Sequence, residues 1–199
     1  MSSESDDRVI LEKKMLIGRG RDRACYHHPD KPDKCIKISI VENDKQSRRE
    51  PKYYAKLQAD NINWGAIAEY RGKTNTNLGE GLVFDLVKDF DGSTSKAITY
   101  YLLHGLISQE QLSRALEEIK KYVFKYNIIS RDISANNLLY RRETETEGKL
   151  IIIDGLGNAE LIPLSNHFKY LAHKKIIRKW RYLMKKMQKD FPNYNFDQS

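Results

Sequence analysis

The chain has 199 residues, with 35 Lys and Arg against 27 Asp and Glu; 40% of its residues are hydrophobic and 31% are charged. These values are typical of a globular protein of about one domain's length and exclude a fibrous repeat or a disordered tail. No apolar stretch approaches the roughly 18 residues of a membrane span, and the first residues lack the pattern of a secretion signal. We therefore expect a cytoplasmic protein.

Two cysteines, Cys25 and Cys35, are too few for a disulfide framework and do not have the spacing of a zinc site. We interpret them as buried thiols in a reducing compartment.

The positive charge is concentrated near the end of the chain. Nine basic residues and no acidic residue lie between Ser165 and Lys189, whereas the remaining sequence has 26 basic and 27 acidic residues. Apolar residues recur at helical spacing in this segment: Ile176, Ile177, Trp180, Leu183, Met184 and Met187. Three interpretations stay open: a terminal helix with a solvated basic face, contact with an anionic membrane surface, and, least favoured, nucleic-acid binding.

The first half of the chain has the pattern of a sheet with one helix. Alternating apolar residues bounded by turn residues predict five strands, over 9–17, 24–28, 35–40, 67–72 and 81–87, with a polar turn at 73–79. A helix over 51–58 begins with Pro51, which suits a first helical turn. The loop at 90–95 separates an N-terminal part, 1–92, from a C-terminal part, 93–199.

The second half has mostly helical patterns. Ser108 and Gln111 form a predicted capping box at the start of a helix. Two short apolar strands, 138–140 and 150–153, follow it and are joined by a charged turn. The predicted fold class is α+β, with an antiparallel N-terminal sheet, one helix beside it and a short C-terminal part.

Two features of the N-terminal half are typical of phosphate binding. Gly18 and Gly20 lie at a turn between strands, where glycine lets backbone amides approach a phosphate, although an ordinary tight turn uses the same residues. Lys37 lies inside an alternating strand and is either a solvated strand residue or a partner of the α- and β-phosphates. Glu50 is the candidate carboxylate that would hold Lys37.

The C-terminal half contains a third feature. Asp132 and Asn137 lie five residues apart in a polar loop, and Asp154 ends an apolar strand. In phosphoryl transfer one carboxylate orients the acceptor hydroxyl, while an amide oxygen and a second carboxylate hold Mg²⁺ against the phosphates. We predict Asp132 as catalytic base and Asn137 and Asp154 as metal ligands.

Taken in order, these motifs resemble those of the protein kinase-like superfamily. The resemblance lies in four segments: Gly18-Arg-Gly20, Cys35-Ile-Lys37, Ser130-Arg-Asp132 with Asn137, and Asp154-Gly-Leu-Gly157. It implies a small bilobal kinase-like fold that binds ATP and Mg²⁺, with Gly18, Gly20, Lys37 and Glu50 at the nucleotide.

More closely, the chain is similar to the YrbL-type PhoP regulatory network proteins over about residues 10 to 170. Five segments carry this similarity: 18–29, 35–37, 48–54, 89–92 and 161–164. The similarity implies a bacterial cytoplasmic protein.

Several positions depart from the pattern of an active protein kinase. Arg23 replaces the third glycine, Ser130 replaces the catalytic-loop histidine, and Ser134 stands where a lysine is usual. After Asp154 only 45 residues follow, without an Ala-Pro-Glu segment, so a protein acceptor is less expected than a small or lipid-linked hydroxyl. The leading hypothesis is a phosphotransferase dependent on ATP and Mg²⁺. The alternative is an ATP-binding pseudokinase that regulates without transferring phosphate.

Overall fold

The computed structural model describes residues 8–42, 45–130, 133–157 and 169–196. The chain falls into two compact units. The first runs to Ala59 and resumes over Ala68–Leu86, and the second contains Asp60–Ile67 and the chain from Val87 onward. The predicted α+β class is confirmed.

The first unit is built on a five-stranded antiparallel sheet in the order β1-β2-β3-β5-β4. Its strands are β1 (Leu16–Arg19), β2 (Arg23–His27), β3 (Lys34–Ser39), β4 (Tyr70–Thr76) and β5 (Gly79–Asp85), with α1 (Lys45–Ala59) between β3 and β4 in sequence. Four of the five predicted strand positions are thereby confirmed with shifted ends.

The two faces of this sheet are covered differently because side chains alternate along each strand. One face carries an aliphatic cluster of Leu11, Ile36, Ile38 and Val83, with Val9 and Tyr26 against it. On the other side an aromatic group joins α1 to the sheet, with Tyr54 of α1 5.4 Å from Phe84 and 5.9 Å from Tyr70 between ring centroids.

The predicted first strand is wrong over most of its length. Val9 makes a single parallel bridge to Thr76, Lys13–Met15 form a 3-10 turn, and only the end of the segment enters β1. The side chain of Asn77 explains the break, because its oxygen accepts from the Leu11 amide at 2.8 Å and its amide donates to the Leu11 carbonyl at 3.2 Å. This clamp satisfies backbone groups that a strand would have paired with a neighbour.

The helix α1 begins six residues earlier than predicted, at Lys45, so Pro51 lies inside it. Proline lacks an amide hydrogen and therefore removes one helical hydrogen bond. The buried side chains of Tyr53, Tyr54 and Leu57 hold this helix to the sheet, as their shared helical face predicts.

The polar segment predicted as a turn at 73–79 is mostly strand. Lys73 forms an ion pair with Glu80 at 2.7 Å, and the turn itself occupies only the two residues between β4 and β5. The Thr76 hydroxyl closes that turn by donating to the Gly79 carbonyl at 2.7 Å. Gly79 has φ of +105°, which a residue with a Cβ rarely adopts.

The second unit combines a small sheet with three helices. The described elements are β6 (Lys96–Ala97), α2 (Ile98–His104), α3 (Gln109–Lys125), β7 (Leu138–Arg142), β8 (Gly148–Ile152) and α4 (Lys169–Asp190). The predicted capping box of α3 is confirmed, with Ser108 accepting from the Gln111 amide at 3.1 Å and the Gln111 side chain accepting from the Ser108 amide at 2.8 Å. The short β6 and α2 were not predicted.

The C-terminal helix α4 packs by one side and exposes the other. Its buried side chains are Ala172, Ile176, Trp180, Leu183, Met184 and Met187. Ile177, which we grouped with them, is 38% exposed. Within the described residues, no helix has the length and hydropathy to cross a membrane.

Candidate functional site

Lys37 lies in β3, opposite Cys25 on one neighbouring strand and Leu82 on the other. It is 8% exposed, and its ammonium lies 4.1 Å from the centroid of the Phe84 ring. A lysine over an aromatic face is stabilised by the negative electrostatic potential of the ring. Lys37 is therefore a buried charged residue and not a solvated strand residue.

Glu50 forms a buried ion pair with Arg23, on β2. The two residues are 1% and 8% exposed, and one Glu50 oxygen, Oε1, has no hydrogen-bond partner among the described residues. Buried charges need an opposite charge, and Arg23 supplies it here. The sequence analysis did not predict this pair, because it noted Arg23 only as the replacement of the third glycine and proposed Glu50 as the partner of Lys37.

Gly18 lies within β1, opposite Cys25, and only Gly20 lies in the turn between β1 and β2. Two backbone hydrogen bonds hold this turn. The Gly20 amide donates to the Arg23 carbonyl at 2.8 Å, and the Ile40 amide donates to the Asp22 carbonyl at 2.9 Å. A Cβ added at Gly18 would meet nothing within 4 Å, and one at Gly20 would meet only the Arg23 carbonyl at 3.5 Å. Packing within the described residues therefore does not require glycine at either position.

In the second unit, hydrogen bonds tie the start of the predicted catalytic loop to the Asp154-Gly-Leu-Gly157 turn. The Ser130 hydroxyl donates to the Gly155 carbonyl at 2.9 Å, and the Gly157 amide donates to the Ile129 carbonyl at 3.0 Å. Gly155 and Gly157 have φ of 76° and 114°, so both glycines are needed for this backbone path. Ser130 thus supports the turn at the position where protein kinases have a histidine.

Asn137 and Asp154 lie at the same end of the β7–β8 hairpin. Asn137 precedes β7, Asp154 follows β8 by two residues, and the Ile153 amide donates to the Asn137 carbonyl at 3.0 Å. Their amide and carboxylate oxygens are hard donors, which Mg²⁺ prefers. Asp132 lies outside the described residues. No group of three His, Cys, Asp or Glu side chains able to hold a metal ion occurs within 8–42, 45–130, 133–157 and 169–196.

A cluster around Arg142 holds the segment that precedes β6. Arg142 donates through Nε to Asp89 at 2.7 Å and pairs through Nη2 with Asp91, while its guanidinium lies 5.1 Å from the Phe90 ring centroid. The hydrogen bonds from Ser93 and Arg142 lower the pKa of Asp91 to about 2. In the sequence analysis, segment 89–92 was noted only because it is similar to the YrbL-type proteins. No sequence pattern pointed to Arg142 as its partner.

Two thiols share the sheet face that carries Lys37. Cys25 pairs with Lys37, and Cys35 lies two residues before it on the same strand. A hydrogen bond with the Cys25 thiol, together with burial, raises the pKa of Cys35 well above its usual range. Both cysteines are free, as expected from their number.

Comparison with solved structures shows the kinase-like fold. The chain matches the crystal structure of Rad53 residues 1–466 in complex with AMP-PNP, with a TM-score of 0.52 and 17% sequence identity. The match covers 74% of this chain and 39% of that chain, so it concerns the fold alone.

Comparison with curated sequences finds two similar proteins. The YrbL proteins of Escherichia coli (strain K12) and Shigella flexneri are each 34% identical over 178 residues, which is 87% of this chain and 85% of theirs. The family model described as PhoP regulatory network protein YrbL matches residues 9–188. The chain therefore belongs to the YrbL family of PhoP regulatory network proteins.

Proposed function

We propose that the protein is a phosphotransferase that uses ATP and Mg²⁺ and transfers the γ-phosphoryl group to a hydroxyl of a small or lipid-linked molecule. The observation that carries the proposal is the pair of hydrogen bonds that ties Ser130 and Ile129 to the turn after Asp154. They hold the two segments of the predicted phosphoryl-transfer site alongside each other. AMP-PNP bound to the structural neighbour supports nucleotide as the ligand.

Each residue would have a distinct task. Gly18 and Gly20 would admit the phosphates to backbone amides, and Lys37 would pair with the α- and β-phosphates. Asn137 and Asp154 would hold Mg²⁺, which when bound neutralises charge on the β- and γ-phosphate oxygens.

Asp132 would orient the acceptor hydroxyl and receive its proton. The acceptor oxygen forms the new bond to the γ-phosphorus as the bond from that phosphorus to the bridging oxygen of ADP breaks. Positioning and charge neutralisation supply most of the catalysis of this reaction.

The length of the internal segment after the turn supports a small acceptor. Only eleven residues, 158–168, separate Gly157 from α4, and they contain no Ala-Pro-Glu sequence. In protein kinases the corresponding segment carries the phosphosite and ends in that motif. A peptide acceptor would have little chain to bind it here.

A regulatory pseudokinase is the second candidate, because Glu50 has Arg23 as its ion-pair partner. The lysine–glutamate pair that active protein kinases require is not the pair formed by this glutamate. In that case nucleotide would bind but would not be turned over.

Nucleotide-dependent thermal stabilisation, with and without Mg²⁺, tests the proposal. We expect ATP to raise the Tm of the intact chain more with Mg²⁺ than without it. Asp154→Ala should remove the additional rise in Tm that depends on Mg²⁺. Lys37→Met should reduce the rise in Tm caused by ATP both with and without Mg²⁺. Asp30→Ala and Lys31→Ala, at exposed positions in the turn before β3, are the matched controls and should respond like the unsubstituted chain.

Turnover of labelled ATP distinguishes the two candidates. Release or transfer of labelled phosphate that is abolished by Asp132→Asn establishes the transferase and eliminates the pseudokinase. Binding without turnover establishes the pseudokinase. A response to ATP and Mg²⁺ that Asp154→Ala leaves unchanged contradicts the proposed role of Asp154 as a metal ligand.

A further inference from the structure

The helix α4 presents a basic face that the proposed nucleotide chemistry does not use. Its exposed basic residues are Lys174, Arg178, Arg181, Lys185, Lys186 and Lys189. The single acidic residue of the helix is Asp190, at its last position. These basic residues lie opposite the buried side, because both sets follow the helical repeat.

Five of these cations form no salt bridge with any described residue. Within the part of the chain that the structure describes, no ion pair involves Arg178, Arg181, Lys185, Lys186 or Lys189. Elsewhere on the surface several basic residues are paired, such as Lys73 with Glu80 and Lys121 with Glu117. These five cations therefore concentrate positive charge that no ion pair among the described residues neutralises, and an anionic partner would complement this charge.

Two large apolar side chains lie on the same side of the helix. Tyr182 is 62% exposed in the middle of the basic face, and Ile177 is 38% exposed at its edge. Trp180, in contrast, is 4% exposed and packs inward. Tyr182 and Ile177 are thus the apolar groups available at this surface.

We propose that the basic face of α4 binds the surface of a bilayer that contains anionic lipids. Lipid phosphates neutralise the cations, and Tyr182 and Ile177 enter the interfacial region, where an aromatic ring with a polar end is favoured. The buried side of α4 stays packed on its own unit, so the attachment is peripheral and chiefly electrostatic.

Nucleic acid fits this face less well. Sequence readout in a groove uses amide side chains as well as arginine, but the exposed face carries no Asn, Gln, Ser or Thr. Gln188, the only such residue in the described side chains of α4, instead bonds the backbone at Tyr194 and Phe196. Ile177 and Tyr182 would also gain little from contact with a phosphate backbone.

Co-sedimentation with lipid vesicles tests the proposal on the full chain. We expect binding to vesicles of phosphatidylcholine mixed with phosphatidylglycerol, no binding to phosphatidylcholine alone, and weaker binding as NaCl is added. Replacing Arg178, Arg181 and Lys185 together by Gln should weaken binding roughly a hundredfold, since each charge near the surface contributes about fivefold.

The matched control removes the same charge elsewhere. Lys13, Lys31 and Lys52 are exposed in the first unit, and replacing these three by Gln should weaken binding only about threefold or less. All six positions are exposed, so both triple variants should keep the Tm of the parent chain. Equal losses from the two triple variants, or no loss from the α4 variant, would overturn the proposal.

A second variant separates lipid from nucleic acid. Ile177→Ser with Tyr182→Ser keeps every charge and should weaken vesicle binding severalfold while leaving any binding to duplex DNA unchanged. If the protein binds duplex DNA more tightly than the mixed vesicles, and this variant changes neither, the face is a nucleic-acid surface and the membrane assignment is wrong.

Discussion

Breaking the buried ion pair between Arg23 and Glu50 should strongly destabilise the first unit. Replacing Arg23 by Met keeps most of the apolar stem but leaves the carboxylate, 1% exposed, without its counter-ion. Removal of one partner from a buried pair costs about 3–5 kcal/mol of unfolding free energy. At about 2–4 °C per kcal/mol for a chain of this size, the Tm should fall by roughly 6–20 °C.

The double variant provides the internal check. Arg23→Met combined with Glu50→Leu removes both charges, and such apolar replacements of buried pairs are often neutral or stabilising. We therefore expect the double variant to be more stable than either single variant, as measured by urea denaturation and calorimetry. The control is Arg21→Met, because the Arg21 side chain is 88% exposed and its pair with Asp22 should contribute less than about 1 kcal/mol.

Two results would refute this reasoning. If Arg23→Met costs no more than Arg21→Met, the Arg23–Glu50 pair contributes nothing to folding. If the double variant is less stable than both single variants, the charges act independently and their burial does not couple them.

Three further predictions concern other described contacts. Ser130→Ala should cost about 1–3 kcal/mol in urea denaturation by leaving the Gly155 carbonyl without its donor, and a smaller loss than that of an ordinary surface substitution would show that the bond is unimportant. Iodoacetamide should modify the native chain at Cys25 alone and the urea-unfolded chain also at Cys35, because the raised pKa and burial keep the Cys35 thiol protonated; rapid native labelling of a Cys25→Ser variant would contradict this. The pKa of Asp91 is lowered from an ordinary 3.8 to about 2, so its contribution to stability is present above pH 3.8 and is lost as the pH falls towards 2. Asp91→Asn should therefore flatten the pH dependence of the unfolding free energy between these values. An unchanged acid profile would rule out this contribution.

Local patterns predicted those elements whose formation depends mainly on neighbouring residues. The capping box at Ser108 needs only residues within one helical turn, and its helix was placed correctly. The alternation around Lys37 likewise located β3, because a strand with one apolar face has apolar residues at every second position. The first predicted strand failed because the side chain of Asn77, 66 residues away along the chain, bonds the backbone of Leu11.

In the candidate site too, local sequence indicated some residues, whereas only the structure showed the contacts that support them. The residue types and their order indicated Gly18, Lys37, Asn137 and Asp154, because phosphate and metal chemistry demand those groups. The supporting contacts were not visible, since Ser130 donates to a carbonyl 25 residues away along the chain. No spacing rule connects such residues before the chain has folded.

The sequence by itself determined the α+β class, the kinase-like motif order and the concentration of charge near the C-terminus, because composition and local periodicity encode these properties directly. Only the tertiary structure decided that Arg23 neutralises Glu50, that Ser130 supports the turn after Asp154, and that Trp180 faces inward while Tyr182 faces out. Those outcomes depend on which side chains are buried next to each other when the chain folds. Burial and partner choice are properties of the packed chain and not of any one segment.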